Sequence, residues 1–79
     1  MKKWIVTAVD TSDTSDGKAR ILKVCGSKNE AITFVRDDME SFKNDASGFP
    51  LVVDYDKMSI HTEDYGYGCE WNLEEVEIN

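Results

Sequence analysis

The sequence predicts an α+β fold in which one helix packs across one face of a four- to five-stranded antiparallel sheet. Only residues 27–43 place apolar side chains at helical spacing, since Ala31, Val35, Met39 and Phe42 follow one another at intervals of four, four and three. The segments on either side are short, rich in strand-forming residues and separated by turns. The predicted order is therefore β-β-α-β-β-β, in a single domain over residues 1–79.

The start of the helix is marked by a capping box. Ser27 and Glu30 are three residues apart, so that each side chain can accept a hydrogen bond from the other's backbone N–H. Residues 44–48 read Asn-Asp-Ala-Ser-Gly, which is the composition of a helix stop. A helix over residues 27–43 is about 25 Å long and covers one face of a sheet only.

Five strands are expected around this helix, over residues 4–9, 19–25, 51–55, 58–63 and 69–78. The first two form a hairpin with a long polar loop, and the last three form a meander. In the last strand the apolar alternation slips at Glu74 and Glu75. A β-bulge there would return Val76 and Ile78 to the inner face.

The first strand is apolar on both faces. Trp4, Val6 and Ala8 alternate with Ile5 and Val9. The second strand is similar, with Ile21 on one side and Leu22 and Val24 on the other. Strong sheet curvature would cover the helix-free face, and so would a second subunit or another partner. Trp4 and Trp71 fit the core, although one of them is a candidate for that uncovered face.

Size and cysteine content indicate a small protein of the cytoplasm. A chain of 79 residues buries roughly 60% of its surface, which leaves little room for a deep cavity. Cys25 and Cys69 lack metal-site spacing and are expected to be buried thiols, with a disulfide only if their Cα atoms lie within about 7 Å. The apolar run at residues 4–9 is too short for a signal peptide or a membrane span.

The net charge of −7 is unevenly distributed along the chain. Residues 1–36 carry seven basic and four acidic side chains, a net charge of +3. Residues 37–79 carry two basic and twelve acidic side chains, a net charge of −10. Direct binding to nucleic acid or to an anionic membrane is therefore disfavoured, because both require a basic face.

The sequence predicts no enzyme, no cofactor and no metal site. His61 is the only histidine, and Ser59 and Glu63 on the same strand face are about 6–7 Å away, too far for a hydrogen-bonded relay. The acids of the loop at residues 10–17 are spaced by three, whereas a calcium loop needs them at alternate positions. A solvated turn is the expectation for that loop, and a surface residue for His61.

The acids of the second half are the most informative feature. They form either a surface that keeps the protein soluble or a face that docks on a basic groove in place of phosphates. Tyr65 and Tyr67, in a glycine-rich hairpin turn, are candidate anchors because tyrosine is enriched at binding hot spots. The predicted partner-binding residues are Asp37, Asp38, Glu40, Asp54, Tyr65, Tyr67, Glu70, Glu74 and Glu75.

The layout, the small size and the acidic meander resemble small proteins made by phages and mobile elements, some of them anti-CRISPR inhibitors. The residues concerned are 26–31, which open the helix, and 69–76, which close the chain. The resemblance implies a stoichiometric binding protein and carries over no functional residue.

The expected function is therefore that of a non-enzymatic binding or inhibitor protein. Its acidic face docks on a basic, normally nucleic-acid-binding surface of a larger protein. The alternative is a homodimeric structural or accessory domain that pairs through the helix-free face of the sheet. Neither hypothesis involves direct contact with nucleic acid or with a membrane.

Overall fold

The computed structural model describes residues 1–11, 17–46, 48–64 and 66–78. Over these residues one helix packs on a five-stranded antiparallel sheet, which confirms the predicted α+β class and element order. The elements are β1 (Lys2–Asp10), β2 (Ala19–Cys25), α1 (Lys28–Asp45), β3 (Leu51–Asp54), β4 (Ser59–Thr62) and β5 (Gly68–Glu77).

The strand order in the sheet is β2-β1-β5-β4-β3. The first and last strands of the chain pair along their whole length, from Lys2 opposite Glu77 to Asp10 opposite Cys69. β1 and β5 are therefore interior strands, while β2 and β3 form the two edges. The meander after the helix adds its strands to one side of β1, and the first hairpin adds β2 to the other.

The helix begins as the capping residues predict. Ser27 is the N-cap, and its Oγ accepts a 3.2 Å hydrogen bond from the backbone N–H of Glu30. Glu30 reaches back one residue further than in a regular capping box, since its carboxylate accepts a 3.0 Å hydrogen bond from the N–H of Gly26. At the other end the N–H of Ala46 donates to the carbonyl oxygen of Phe42, which closes the last turn.

The core lies between α1 and one face of the sheet. Its buried members are Val6, Ala8, Cys25, Ala31, Val35, Met39, Ile60, Cys69 and Trp71. Trp4 packs against the same cluster, so both tryptophans lie on the helix side and the placement of one on the opposite face is wrong. Cys25 and Cys69 are both buried and unpaired. They lie at opposite ends of the sheet, since Cys25 pairs with Trp4 and Cys69 with Asp10.

The predicted β-bulge at Glu74 and Glu75 is wrong. The register of β5 against β1 continues without a shift through these residues, so Val76 lies opposite Lys3 on the helix-free face. The shift occurs between Val6 and Thr7, where β2 contributes Leu22 as an extra residue. Leu22 packs on the core, and the bulge places Ile21 and Val24 together on the helix-free face, contrary to the expected separation.

The connection between β3 and β4 is a turn over residues 55–58. Asp54 Oδ1 accepts a 3.0 Å hydrogen bond from the backbone N–H of Lys57, and Met58 has a positive φ of 54°. The turn takes up Tyr55 and Met58, which were expected to belong to the strands, so each strand is shorter than predicted. Tyr55 of this turn lies near the helix, because its hydroxyl bonds to Glu40.

Candidate binding site

The helix-free face of the sheet has an apolar part along β1 and β2. Ile21 and Val24 on the edge strand are 69% and 52% exposed. Their partners on β1 are Thr7 and Ile5, with Val9 further along the same face. The described residues place no helix or strand over these side chains. Because β1 and β2 are apolar on both faces, they leave apolar side chains exposed on the helix-free face of the sheet.

The same face has an acidic part along β5 and β3. Glu70, Asn72 and Glu74 occupy every second position of β5 and so point to the same face. Asp54 lies opposite Ser59, which in turn lies opposite Glu70, so Asp54 and Glu70 face the same side about 10 Å apart. Both acids therefore belong to the helix-free face.

The helix acids lie on the other side of the molecule and make contacts within the fold. Asp38 is half-buried, and its Oδ2 accepts a 2.7 Å hydrogen bond from the indole Nε1–H of Trp71. Glu40 accepts a 2.9 Å bond from the Tyr55 hydroxyl and a 3.3 Å bond from Lys43. The hydroxyl of Tyr55 and then the Lys43 ammonium lower the pKa of Glu40.

The predicted acids therefore do not form one continuous face. Glu75 lies opposite Trp4 and so on the helix side, 3.7 Å from the ammonium of Lys2. Asp54, Glu70 and Glu74 lie together on the helix-free face, whereas Asp37, Asp38, Glu40 and Glu75 belong to the helix side. Tyr65 lies outside the described residues, as do Asp13 and Asp16 of the first loop.

Several basic side chains lie over aromatic rings on the helix side. The Nζ atoms of Lys23 and Lys28 are 5.3 Å and 5.7 Å from the ring centroids of Phe34 and Trp4. Arg36 and Lys43 lie 5.7 Å and 5.8 Å from the ring centroid of Tyr55. These cations lie on the same side as Asp37, Asp38 and Glu40, so the charge there is mixed.

A groove with a volume of about 710 Å³ lies between the end of α1, the start of β3 and the end of β4. Its acidic members are Asp45, Glu63 and Asp64, and its aromatic members are Phe49 and Tyr67. The remaining lining residues are Ala46, Pro50, Thr62 and Gly66, so the described lining contains no lysine or arginine. Phe49 is 65% exposed and Tyr67 is 42% exposed. The groove thus combines negative charge with exposed aromatic side chains.

The wall of the groove around Tyr67 is held by stacked rings. The ring of Tyr67 stacks on that of Phe42 at a centroid distance of 5.1 Å, and Phe42 meets Trp71 edge-on at 5.9 Å. The backbone N–H of Thr62 donates to the carbonyl oxygen of Tyr67 at 2.8 Å. Tyr67, predicted as an anchor, is therefore supported from behind by the core and open to solvent at the front.

The turn that carries Tyr67 is fixed by an acid of the groove. Asp64 Oδ1 accepts hydrogen bonds from the hydroxyl of Thr62 at 2.7 Å and from the backbone N–H of Gly66 at 3.0 Å. These two bonds, the Thr62 bond first, lower the pKa of Asp64, so that its carboxylate is charged at neutral pH. Asp64 both positions the turn and contributes negative charge to the groove.

The sequence did not single out Asp45, Phe49, Glu63 or Asp64 as partner-binding residues. The available signal was an aromatic residue directly after a helix stop and before a proline, in a segment of loop composition. Such a residue has few neighbours to bury it, which agrees with the exposure of Phe49.

His61, the one histidine of the sequence, lies away from the groove. His61 lines neither the groove nor three smaller cavities of about 280, 340 and 380 Å³, and its Nδ1 lies 2.9 Å from the carbonyl oxygen of Thr62. No group of three metal-ligating side chains occurs among residues that are described. Within those residues, no helix has the length and apolar character that a membrane crossing requires.

The fold and the groove define a small α+β protein with an acidic, aromatic surface groove. Comparison with family models, with curated proteins and with solved structures gives no match for this chain.

Proposed function

We propose that the protein is a non-enzymatic binding protein that docks on a basic surface of a larger protein. The observation that carries the proposal is the groove, which brings Asp45, Glu63 and Asp64 together with the exposed rings of Phe49 and Tyr67. This combination suits a protruding arginine or lysine side chain. A cation between these groups gains both ion pairing and contact with the ring faces.

Arginine fits the groove better than lysine. Its planar guanidinium stacks on aromatic rings and can bond to a carboxylate through two N–H groups at once, whereas the lysine ammonium acts as a point charge. Phe49 and Tyr67 supply the rings, and the carboxylates lie on the same groove. A surface rich in arginine is typical of proteins that hold nucleic acid.

The remaining charge of the protein supports association with such a surface. The chain carries a net charge of −7, and acids such as Asp37, Glu70 and Glu74 contribute to its negative field. A field of this sign accelerates encounter with a basic partner and makes the association sensitive to salt. Docking would exclude a nucleic acid from the same surface, which is how an inhibitor of the type suggested by the sequence would act.

The proposal is tested with a nine-residue arginine peptide as the probe, in a fluorescence anisotropy titration at about 50 and 300 mM salt. The native protein is expected to bind the peptide, and to bind it several-fold more weakly at the higher salt concentration. Glu63→Lys is expected to weaken binding by about tenfold or more, because it places a cation in the groove. Phe49→Ala is expected to weaken binding without changing the net charge.

Asp37→Lys is the matched control, since it changes the net charge by the same amount on the helix, away from the groove. It is expected to weaken binding less than Glu63→Lys. Equal effects of the two charge reversals would show that only the overall charge matters and would contradict a role for the groove. Binding that does not respond to salt would contradict electrostatic docking altogether.

A further inference from the structure

We infer that Asp38 is a positioning residue of the groove, because it holds Tyr67 in place through two intervening aromatic rings and so sets the affinity of the groove for a cationic side chain. This inference rests on the proposed function, since the ligand concerned is the same arginine. Asp38 does not line the groove. It lies within α1, is half-buried and acts on the groove only through its neighbours.

The first link is the hydrogen bond between Asp38 and Trp71. Oδ2 of Asp38 accepts it from the indole Nε1–H at 2.7 Å, which is short for an N–H···O bond and typical of a charged acceptor. The N–H lies in the plane of the indole ring and must point at the carboxylate. The bond therefore fixes the orientation of a ring that is only 5% exposed.

The next two links are contacts between rings. Phe42 meets Trp71 edge-on, with ring centroids 5.9 Å apart and planes at 86°. Tyr67 stacks on Phe42 at 5.1 Å, with planes 17° apart. Asp38, Phe42 and Asp45 follow one another at intervals of four and three, so they share one face of the helix. The helix face that supports Tyr67 therefore also brings Asp45 to the groove.

A cavity behind Tyr67 makes the position of this ring depend on the hydrogen bond. The cavity has a volume of about 280 Å³, and Asp38, Phe42 and Trp71 are among its lining residues. Asp45 and Tyr67 line both the cavity and the groove, so they form the wall between the two. Without the bond the rings have room to move into the cavity. Such a shift changes the place of Tyr67 relative to the groove carboxylates, on which the contact with a cation depends.

The charge of Asp38 is a second way in which this residue could affect a cationic ligand. Asp37 carries the same charge at the adjacent position, but it is exposed and lines a different cavity. An effect of charge alone is therefore expected to be similar for Asp37→Ala and Asp38→Ala. An effect of position is expected for Asp38→Ala only.

The position of Tyr67 is measured by NMR without any ligand. In the native protein the stacked ring of Phe42 is expected to shift the ring-proton signals of Tyr67 upfield. Asp38→Ala is expected to reduce this shift, because the stack relaxes, and Asp37→Ala is expected to leave it unchanged. Circular dichroism confirms that each variant is folded.

The affinity is measured by fluorescence anisotropy with the nine-residue arginine peptide. Asp38→Ala is expected to weaken binding about five- to tenfold, and Asp37→Ala about twofold or less. Trp71→Phe removes the donor and keeps every charge, so adding Asp38→Ala to it is expected to cost no more than Asp37→Ala does. Val35→Ala is the control for stability, because Val35 is buried in the core and does not line the groove. It is expected to lower the urea midpoint and to keep the affinity.

The outcomes separate this inference from the proposed function. Equal weakening by Asp37→Ala and Asp38→Ala, or by Val35→Ala and Asp38→Ala, would overturn the inference and leave the docking proposal in place. Unchanged Tyr67 signals in Asp38→Ala would overturn the positioning role as well. A native protein that does not bind the peptide would overturn the proposed function, while the Tyr67 signals still decide whether Asp38 positions the ring.

Discussion

The indole Nε1–H of Trp71 donates a 2.7 Å hydrogen bond to Oδ2 of Asp38 and thereby joins the last strand to the helix. Trp71 is 5% exposed and belongs to the core. Asp38 is one of the acids that the sequence suggested for partner binding, and the structure gives it a contact within the fold. This bond orients the ring against which Phe42 packs, and Phe42 in turn supports Tyr67 of the groove.

Asp38→Ala is expected to lower the free energy of unfolding by about 1–3 kcal/mol, because it leaves the buried indole N–H without its acceptor. Asp38→Asn is expected to cost less, since the amide oxygen can still accept the bond. Urea denaturation measures both. Asp37→Ala is the control on the exposed neighbour and is expected to change stability by no more than about 0.5 kcal/mol. Equal losses for Asp37→Ala and Asp38→Ala would show that the bond to Trp71 contributes nothing.

Gly68 begins β5 at a position without room for a side chain. A Cβ atom there would lie 2.6 Å from Oγ1 of Thr11, 2.8 Å from the carbonyl oxygen of Ile60 and 2.9 Å from Cβ of His61. Gly68→Ala is therefore expected to destabilise the fold by about 1–3 kcal/mol, because the backbone of β4 must move.

Gly26→Ala provides the comparison, since a Cβ atom there meets only the Glu30 carboxylate at 3.7 Å, an ordinary contact. Thermal unfolding of both variants is the measurement. A Gly68→Ala variant as stable as Gly26→Ala would show that β4 and β5 are less closely packed than the structure indicates.

The Tyr55 hydroxyl bonded to Glu40 predicts a pH dependence. The pKa of Glu40 in the folded protein lies below its ordinary value of 4.5. A carboxyl group with a lowered folded pKa stabilises the fold above its unfolded pKa, and this contribution is lost as the pH falls through the folded value. Tyr55→Phe is expected to raise the pKa of Glu40 and to make stability depend less on pH below 4.5.

Titration of the Glu40 carboxyl by NMR in the native protein and in Tyr55→Phe measures this directly. Lys43 remains in the variant, so a part of the shift is expected to persist. An unchanged Glu40 titration in Tyr55→Phe would contradict the assignment of the hydroxyl as the main cause.

The helix and the element order were predictable because their signals are local. The apolar spacing from Ala31 to Phe42 and the cap at Ser27 lie within one segment, and the structure reproduces both. The bulge was misplaced because the slip in alternation at Glu74 and Glu75 has two physical meanings. It can mark an extra residue, or it can mark a strand that simply turns an apolar residue to the other face. The second explanation applies here, because Val76 turns to the helix-free face.

The groove was not predictable, because it is assembled from separate segments. Residues 45 and 46 end the helix and residues 49 and 50 precede β3, whereas the other lining residues lie at the end of β4 and before β5. The two parts meet through the pairing of β3 with β4 and the stacking of Tyr67 on Phe42. The charge pattern along the chain, for a similar reason, does not predict which surface is acidic. Acids that are close in sequence, such as Glu74 and Glu75, face opposite sides of the sheet, so that an acidic half of the chain does not become an acidic face.

The central claim is that the groove is where a basic partner docks. The most direct measurement follows the backbone amide signals of the protein by NMR during titration with the nine-residue arginine peptide. The largest changes are expected around the groove, at Asp45, Phe49, Glu63, Asp64 and Tyr67, and they are expected to be strongly reduced in Phe49→Ala. The largest changes at the helix, near Asp37, or at Glu70 and Glu74 on the helix-free face, or no changes at all, would contradict the claim.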